Sequence, residues 1–129
     1  MKIENVFKIA ADYSSVRAFL ENGGWDYKGK EEEMELFRNK ESGKLLYVED
    51  ISEDFPVTFL MGEISLREFG SIAQDLTRGI KLLEVDSSWE GKPTTIVVAM
   101  TEAQVRDMFG RRAKMRPLPV RDAVSRRTR

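Results

Sequence analysis

Residues 25–48 read WDYKGKEEEMELFRNKESGKLLYV. Three short runs within it, 25–28, 34–38 and 45–48, carry aromatic and aliphatic residues: Trp25 with Tyr27, then Leu36-Phe37, then Leu45-Leu46-Tyr47-Val48. Polar segments 29–33 and 39–44 separate them, and the second contains Ser42-Gly43, a turn signal. Short β-prone runs joined by short polar connections predict an antiparallel meander.

On the N-terminal side, Val16, Phe19 and Leu20 form one apolar stripe over 12–22, with Asp12 or Ser14 as the cap and Gly23-Gly24 as the stop. Residues 2–10 fit a helix face (Ile3, Val6, Phe7, Ala10) and, in part, strand alternation (Ile3, Phe7, Ile9). Downstream, 49–55 reads as an acidic loop and 56–61 as a short edge strand, since proline suits a strand start. Ser65-Leu66-Arg67-Glu68 matches a capping box, and Leu66, Phe69, Ile72, Ala73 and Leu76 follow at helical spacing up to Gly79. Residues 80–85 are apolar without a clear period, 87–93 read as a loop, and 94–100 as a buried β-branched strand. Thr101-Glu102-Ala103-Gln104 opens a short helix carrying Val105, Met108 and Phe109, which Gly110 ends. The expected class is α+β: an antiparallel sheet with an α-β-β-β-α core, an added strand and short helix, and a basic C-terminal extension.

The 129 residues fit one domain and bury roughly two thirds of the surface of the unfolded chain. Cysteine and histidine are both absent. Disulfides, thiolate metal sites, cysteine nucleophiles, the serine–histidine relay and most zinc sites are thereby excluded. The net charge of −1 hides a division. Arg111, Arg112, Lys114, Arg116, Arg121, Arg126, Arg127 and Arg129 face only Asp122 within 111–129, a net +7, which leaves −8 on residues 1–110. The expected organisation is therefore an acidic body, 1–110, and an arginine-rich tail, 111–129. The first residues lack the apolar run of a secretory signal, and no apolar stretch approaches the roughly 20 residues that cross a bilayer, so a cytoplasmic protein without a membrane partner is expected.

Leu20…Gly24-Trp25 closing the first helix, Leu36-Phe37-Arg38 in the second strand of the meander, and Ile64-Ser65-Leu66-Arg67…Ile72 opening the second helix are pieces of a known pattern. Through them residues 12–80 resemble the HicA toxins, messenger-RNA-cleaving proteins of toxin–antitoxin pairs. The family has a glycine followed by an aromatic at the first piece and a threonine-leucine-arginine-like start at the last. The resemblance implies a double-stranded-RNA-binding-type fold. It does not carry the activity over. Where the family has glycine-serine-histidine this chain has Glu32-Glu33-Met34, so the cleaving histidine is missing, and three successive glutamates, Glu31 to Glu33, repel an RNA backbone.

The tail is the leading candidate site. Eight cations in 19 residues would displace counterions from nucleic acid, and the planar fork of arginine suits bidentate phosphate contacts. Nucleic acid or a nucleoprotein is the expected partner, reached by a non-enzymatic regulatory protein. The second candidate is the acidic set Glu31, Glu32, Glu33, Glu35, Glu49, Asp50, Glu53 and Asp54, which matches no calcium-loop spacing and instead offers a face to a basic protein, as in an inhibitor or antitoxin-like regulator. A third arrangement is a homo-oligomer in which the tail lies on a neighbour's acidic hairpin. Glu90-Gly91-Lys92 has the spacing of a metal-dependent nuclease pair, but its upstream acids, Asp75 on a helix and Glu84 very close by, do not complete one. Ser42-Gly43-Lys44 lacks the first glycine of a phosphate loop. Trp25, Tyr27 and Tyr47 are expected in the core rather than stacked on bases. The expectation is no catalysis, no metal and no cofactor.

Overall fold

The computed structural model describes residues 5–78, 80–89 and 91–118. Asp12 caps the first helix, α1 (Tyr13–Asn22), by accepting from the Ser15 N–H at 3.0 Å, and Val16 and Leu20 turn inward. The chain reverses through Gly23 and Gly24 into β2 (Trp25–Glu31), β3 (Met34–Asn39) and β4 (Leu45–Asp50), the expected meander. The ambiguous N-terminal segment is a strand, β1 (Asn5–Ile9). Its alternation is explained by two buried faces: Phe7 and Ile9 enter one hydrophobic cluster while Val6 packs on a second.

β5 (Thr58–Gly62) departs from expectation. It is not an edge strand: it lies between β4 and β1, and all five residues are buried. Pro56 does not forbid this, because it stands two residues before the first paired position and its missing N–H is never required by the ladder. The capping box at Ser65 and Glu68 opens α2 (Leu66–Leu76), which buries Phe69, Ile72 and Ala73. The Phe69 ring stacks on that of Phe7 with centroids 4.2 Å apart.

Residues expected as a loop continue the sheet. β6 (Leu83–Trp89) and β7 (Lys92–Ala99) form a long hairpin, pairing Ser87 with Thr94 and Ser88 with Pro93. Thr101 and Gln104 form the second capping box, which starts α3 (Glu102–Phe109). A last strand, β8 (Met115–Pro117), pairs antiparallel with β6. The eight strands run in the order β2-β3-β4-β5-β1-β7-β6-β8. The sheet is mostly antiparallel, with β1 and β7 a parallel pair, which corrects the expectation of a purely antiparallel sheet. The α+β class holds.

α1 and α2 cover one face, where the larger cluster is built on Phe7, Val16, Leu20, Phe37, Leu60 and Phe69. Val105 of α3 joins a second cluster with Val57, Val85, Val98 and Met100, on the opposite face of β1 and β7. The boundary expected at 110 moves, because Met115 packs against that second cluster and β8 is bonded into the sheet. The folded body runs through Leu118, whose N–H donates to Leu82 O at 3.0 Å.

Candidate interaction surfaces

Strand register determines where the charged residues meet. Glu49, Phe59, Lys8, Val98, Leu83 and Pro117 form one continuous row of paired positions across β4, β5, β1, β7, β6 and β8. Beyond that row lies one end of the sheet. The β2–β3 turn reaches this end, since Glu35 pairs with Val48 next to Glu49, and so does the 51–57 connection between β4 and β5. Glu31, Glu32, Glu33, Glu49, Asp50, Glu53 and Asp54 are thus brought together from three segments.

These carboxylates are not equivalent. Glu32 and Glu33 form the exposed hairpin tip, and Glu32 holds φ at 58°, a left-handed conformation unusual for a side-chain-bearing residue. Glu31 accepts a hydrogen bond from the Tyr47 hydroxyl, which pushes that phenol's pKa above its ordinary value. Asp50 accepts from the Ser52 N–H at 3.0 Å, and its hydrogen bonding with Ser52 holds the carboxyl below its ordinary value. Glu35 stands apart. It shares the parity of Phe37 and so faces α1, where it accepts from the Tyr27 hydroxyl and lies 3.9 Å from Lys30 Nζ. Tyr27 also packs edge-on against Phe37 and beneath the Arg17 guanidinium, which places it among protein groups as expected.

The basic segment divides into three parts. Arg111, Arg112 and Lys114 are exposed between α3 and β8 and form no ion pair among the described residues. Arg116, in β8, is already engaged: its guanidinium lies 3.1 Å from Glu84 and 3.2 Å from Asp86, both on β6, and the bond to Asp86 raises its pKa. It belongs to the sheet edge rather than to a free cationic tail. Arg121, Arg126, Arg127 and Arg129 lie outside the described residues. The chain passes Pro117 in the same cross-strand row as Glu49, five strand spacings away, a separation of about 24 Å.

The residues of the nuclease-like pattern that are described have other neighbours. Glu84 is bonded to Arg116, Lys92 pairs with Trp89 at the far end of the β6–β7 hairpin, Asp75 is on exposed α2 surface, and Glu90 is outside the described residues. Among the described residues, no three acidic side chains are grouped to hold a metal ion, and no helix is long and apolar enough to cross a membrane.

Sequence reasoning passed over Lys8 and Asp107. They line a cavity of about 220 Å³ between the 51–57 connection and α3, together with Glu53 and Asp54. The available signal was the position of Lys8, a lone charge between Phe7 and Ile9, both buried. Burial lowers the Lys8 pKa, and its Nζ sits 4.6 Å from the centre of the Phe109 ring. No family model, curated protein or solved structure matches the chain.

Proposed function

We propose that this chain is a non-catalytic interaction protein whose basic segment, 111–129, engages a polyanion, with nucleic acid or a nucleoprotein as the partner. The observation that carries this reading is the contrast within the segment. Arg116 is consumed by two carboxylates, whereas Arg111, Arg112 and Lys114 stand exposed and unpaired beside it. Unpaired surface cations along a sheet edge, continued in sequence by four more arginines, suit a phosphate backbone without specifying its sequence.

The acidic end opposes this attraction on one side, since Asp107, four residues before Arg111, lines one cavity with Glu53 and Asp54, and salt screens that repulsion together with the attraction. The test is fluorescence anisotropy of a labelled oligonucleotide titrated with the full chain. Affinity should fall by about 10³-fold between 50 and 200 mM salt if six phosphates are neutralised. Replacing Arg111, Arg112 and Lys114 by glutamine should shallow that salt slope, whereas Arg116→Gln should barely change it. A slope unaffected by the triple replacement would contradict the reading.

A second reading has its own support: seven carboxylates from three segments converge at one end of the sheet. Such a surface suits a basic protein partner. In that case charge reversal at Glu32, Glu33, Glu53 and Asp54, all exposed, should abolish binding to the partner.

A further inference from the structure

The cavity between the 51–57 connection and α3 brings three chemistries together. Its floor is Lys8, held in register by Phe59 on one side and Val98 on the other. Lys8 is half-buried and has no ion pair among the described residues, although carboxylates line the same cavity. Its Nζ sits over the Phe109 ring. The rim carries Glu53, Asp54 and Asp107, all exposed and likewise without ion pairs among the described residues. Phe55, Val57 and Met108 supply apolar wall.

A partly desolvated ammonium without a counter-ion is costly, and an anion placed against it relieves that cost. A simple anion would be repelled by the three carboxylates at the entrance, and a simple cation by Lys8. A molecule with both charges meets both demands. The volume, about 220 Å³, is room for about seven waters and so accommodates a molecule of roughly seven to ten non-hydrogen atoms.

We propose that this cavity binds a small zwitterion of the α-amino acid class with an aliphatic side chain, its carboxylate on Lys8, its ammonium on Glu53, Asp54 and Asp107, and its side chain against Phe55, Val57 and Met108. The desolvation of Lys8 lowers its pKa and fits an amine awaiting an anionic partner. The inference is independent of the basic segment and stands or falls separately from polyanion binding.

The test is an NMR titration of the full chain with L-leucine, and in parallel with 4-methylpentanoate, which lacks the ammonium, and 3-methylbutylamine, which lacks the carboxylate. Leucine should give saturable shifts at the Lys8 side chain and the Met108 methyl, with a dissociation constant in the millimolar range. Each single-charge analogue should bind at least about tenfold more weakly, a loss of about 1.4 kcal/mol. Lys8→Met, which keeps the packing, should lose leucine binding by a similar factor or more. Asp107→Asn, on exposed helix surface, should weaken leucine but leave 4-methylpentanoate unchanged or tighter. Absence of saturable shifts with leucine, equal affinity for 4-methylpentanoate, or unchanged binding in a folded Asp107→Asn protein would each overturn the proposal.

Discussion

Gly62 holds φ at 146°, and a Cβ built there would lie 2.7 Å from Leu45 O and 3.1 Å from Leu46 Cα. Strands β4 and β5 approach so closely that only a hydrogen fits. Gly62→Ala should therefore cost about 2 kcal/mol or more, combining backbone strain with displacement of β4, as read from the midpoint of a denaturant melt. Lys8 makes the opposite kind of statement. Its native pKa is depressed by burial, so between that value and the ordinary lysine value the unfolded chain binds more protons than the folded one. The stability of the wild-type protein should rise with pH across that window, relative to Lys8→Met. The groups around it are the Phe109 ring and the carboxylates of Glu53, Asp54 and Asp107, while the raised pKa values of Tyr13, Tyr27 and Tyr47 act in the opposite direction in both proteins and cancel from the comparison. A wild-type and Lys8→Met pair whose stability difference is constant with alkaline pH would contradict the buried setting of the amine.

At the scale of elements, α2 is the most strongly specified piece. Ser65 accepts from the Glu68 N–H at 3.0 Å while the Glu68 carboxylate accepts from the Ser65 N–H at 2.8 Å. Ser65→Ala should lower stability by about 1 kcal/mol. Phe69→Ala removes a fully buried ring stacked on Phe7, and its cost should be about 3–5 kcal/mol. A neutral Phe69→Ala in urea denaturation would mean that the inward face of α2 is misassigned. This helix was legible because its cap, apolar period and stop all agree locally. Of the β6–β7 hairpin, the strand over 94–100 was legible, but the tip over 87–93 was not. Asp86, Ser88, Lys92, Pro93 and Thr95 are exposed where the hairpin extends past the core, so hydrophobic alternation, the main signal of a strand, is missing there. β8 was hidden by its charge. The sequence shows Arg116 as one of eight tail cations, but only the pairing to β6 brings it to Glu84 and Asp86. β5 was misplaced because Pro56 was read as part of the strand rather than as the residue that leads into it.

For the whole molecule, the charge division visible in the sequence acquires a different boundary. The body continues to Leu118, and the acidic residues gather at one end of the sheet because strand register aligns the β2–β3 turn with the 51–57 connection. That convergence is a property of pairing, and no local pattern in the sequence carries it. The basic segment was legible from composition alone, but which of its cations are free was not. This distinction makes the functional claim testable one cation at a time, since each phosphate contact contributes a unit of salt dependence of about −0.9 on logarithmic axes. The most direct measurement is the salt slope of oligonucleotide affinity for four full-length proteins: wild type, Arg111→Gln, Arg112→Gln and Arg116→Gln. The account predicts that the slope shallows by close to one unit in each of the first two variants and stays at the wild-type value in the third, whose guanidinium is held by Glu84 and Asp86. Equal slopes in all four proteins, or no measurable affinity for the oligonucleotide at low salt, would contradict it.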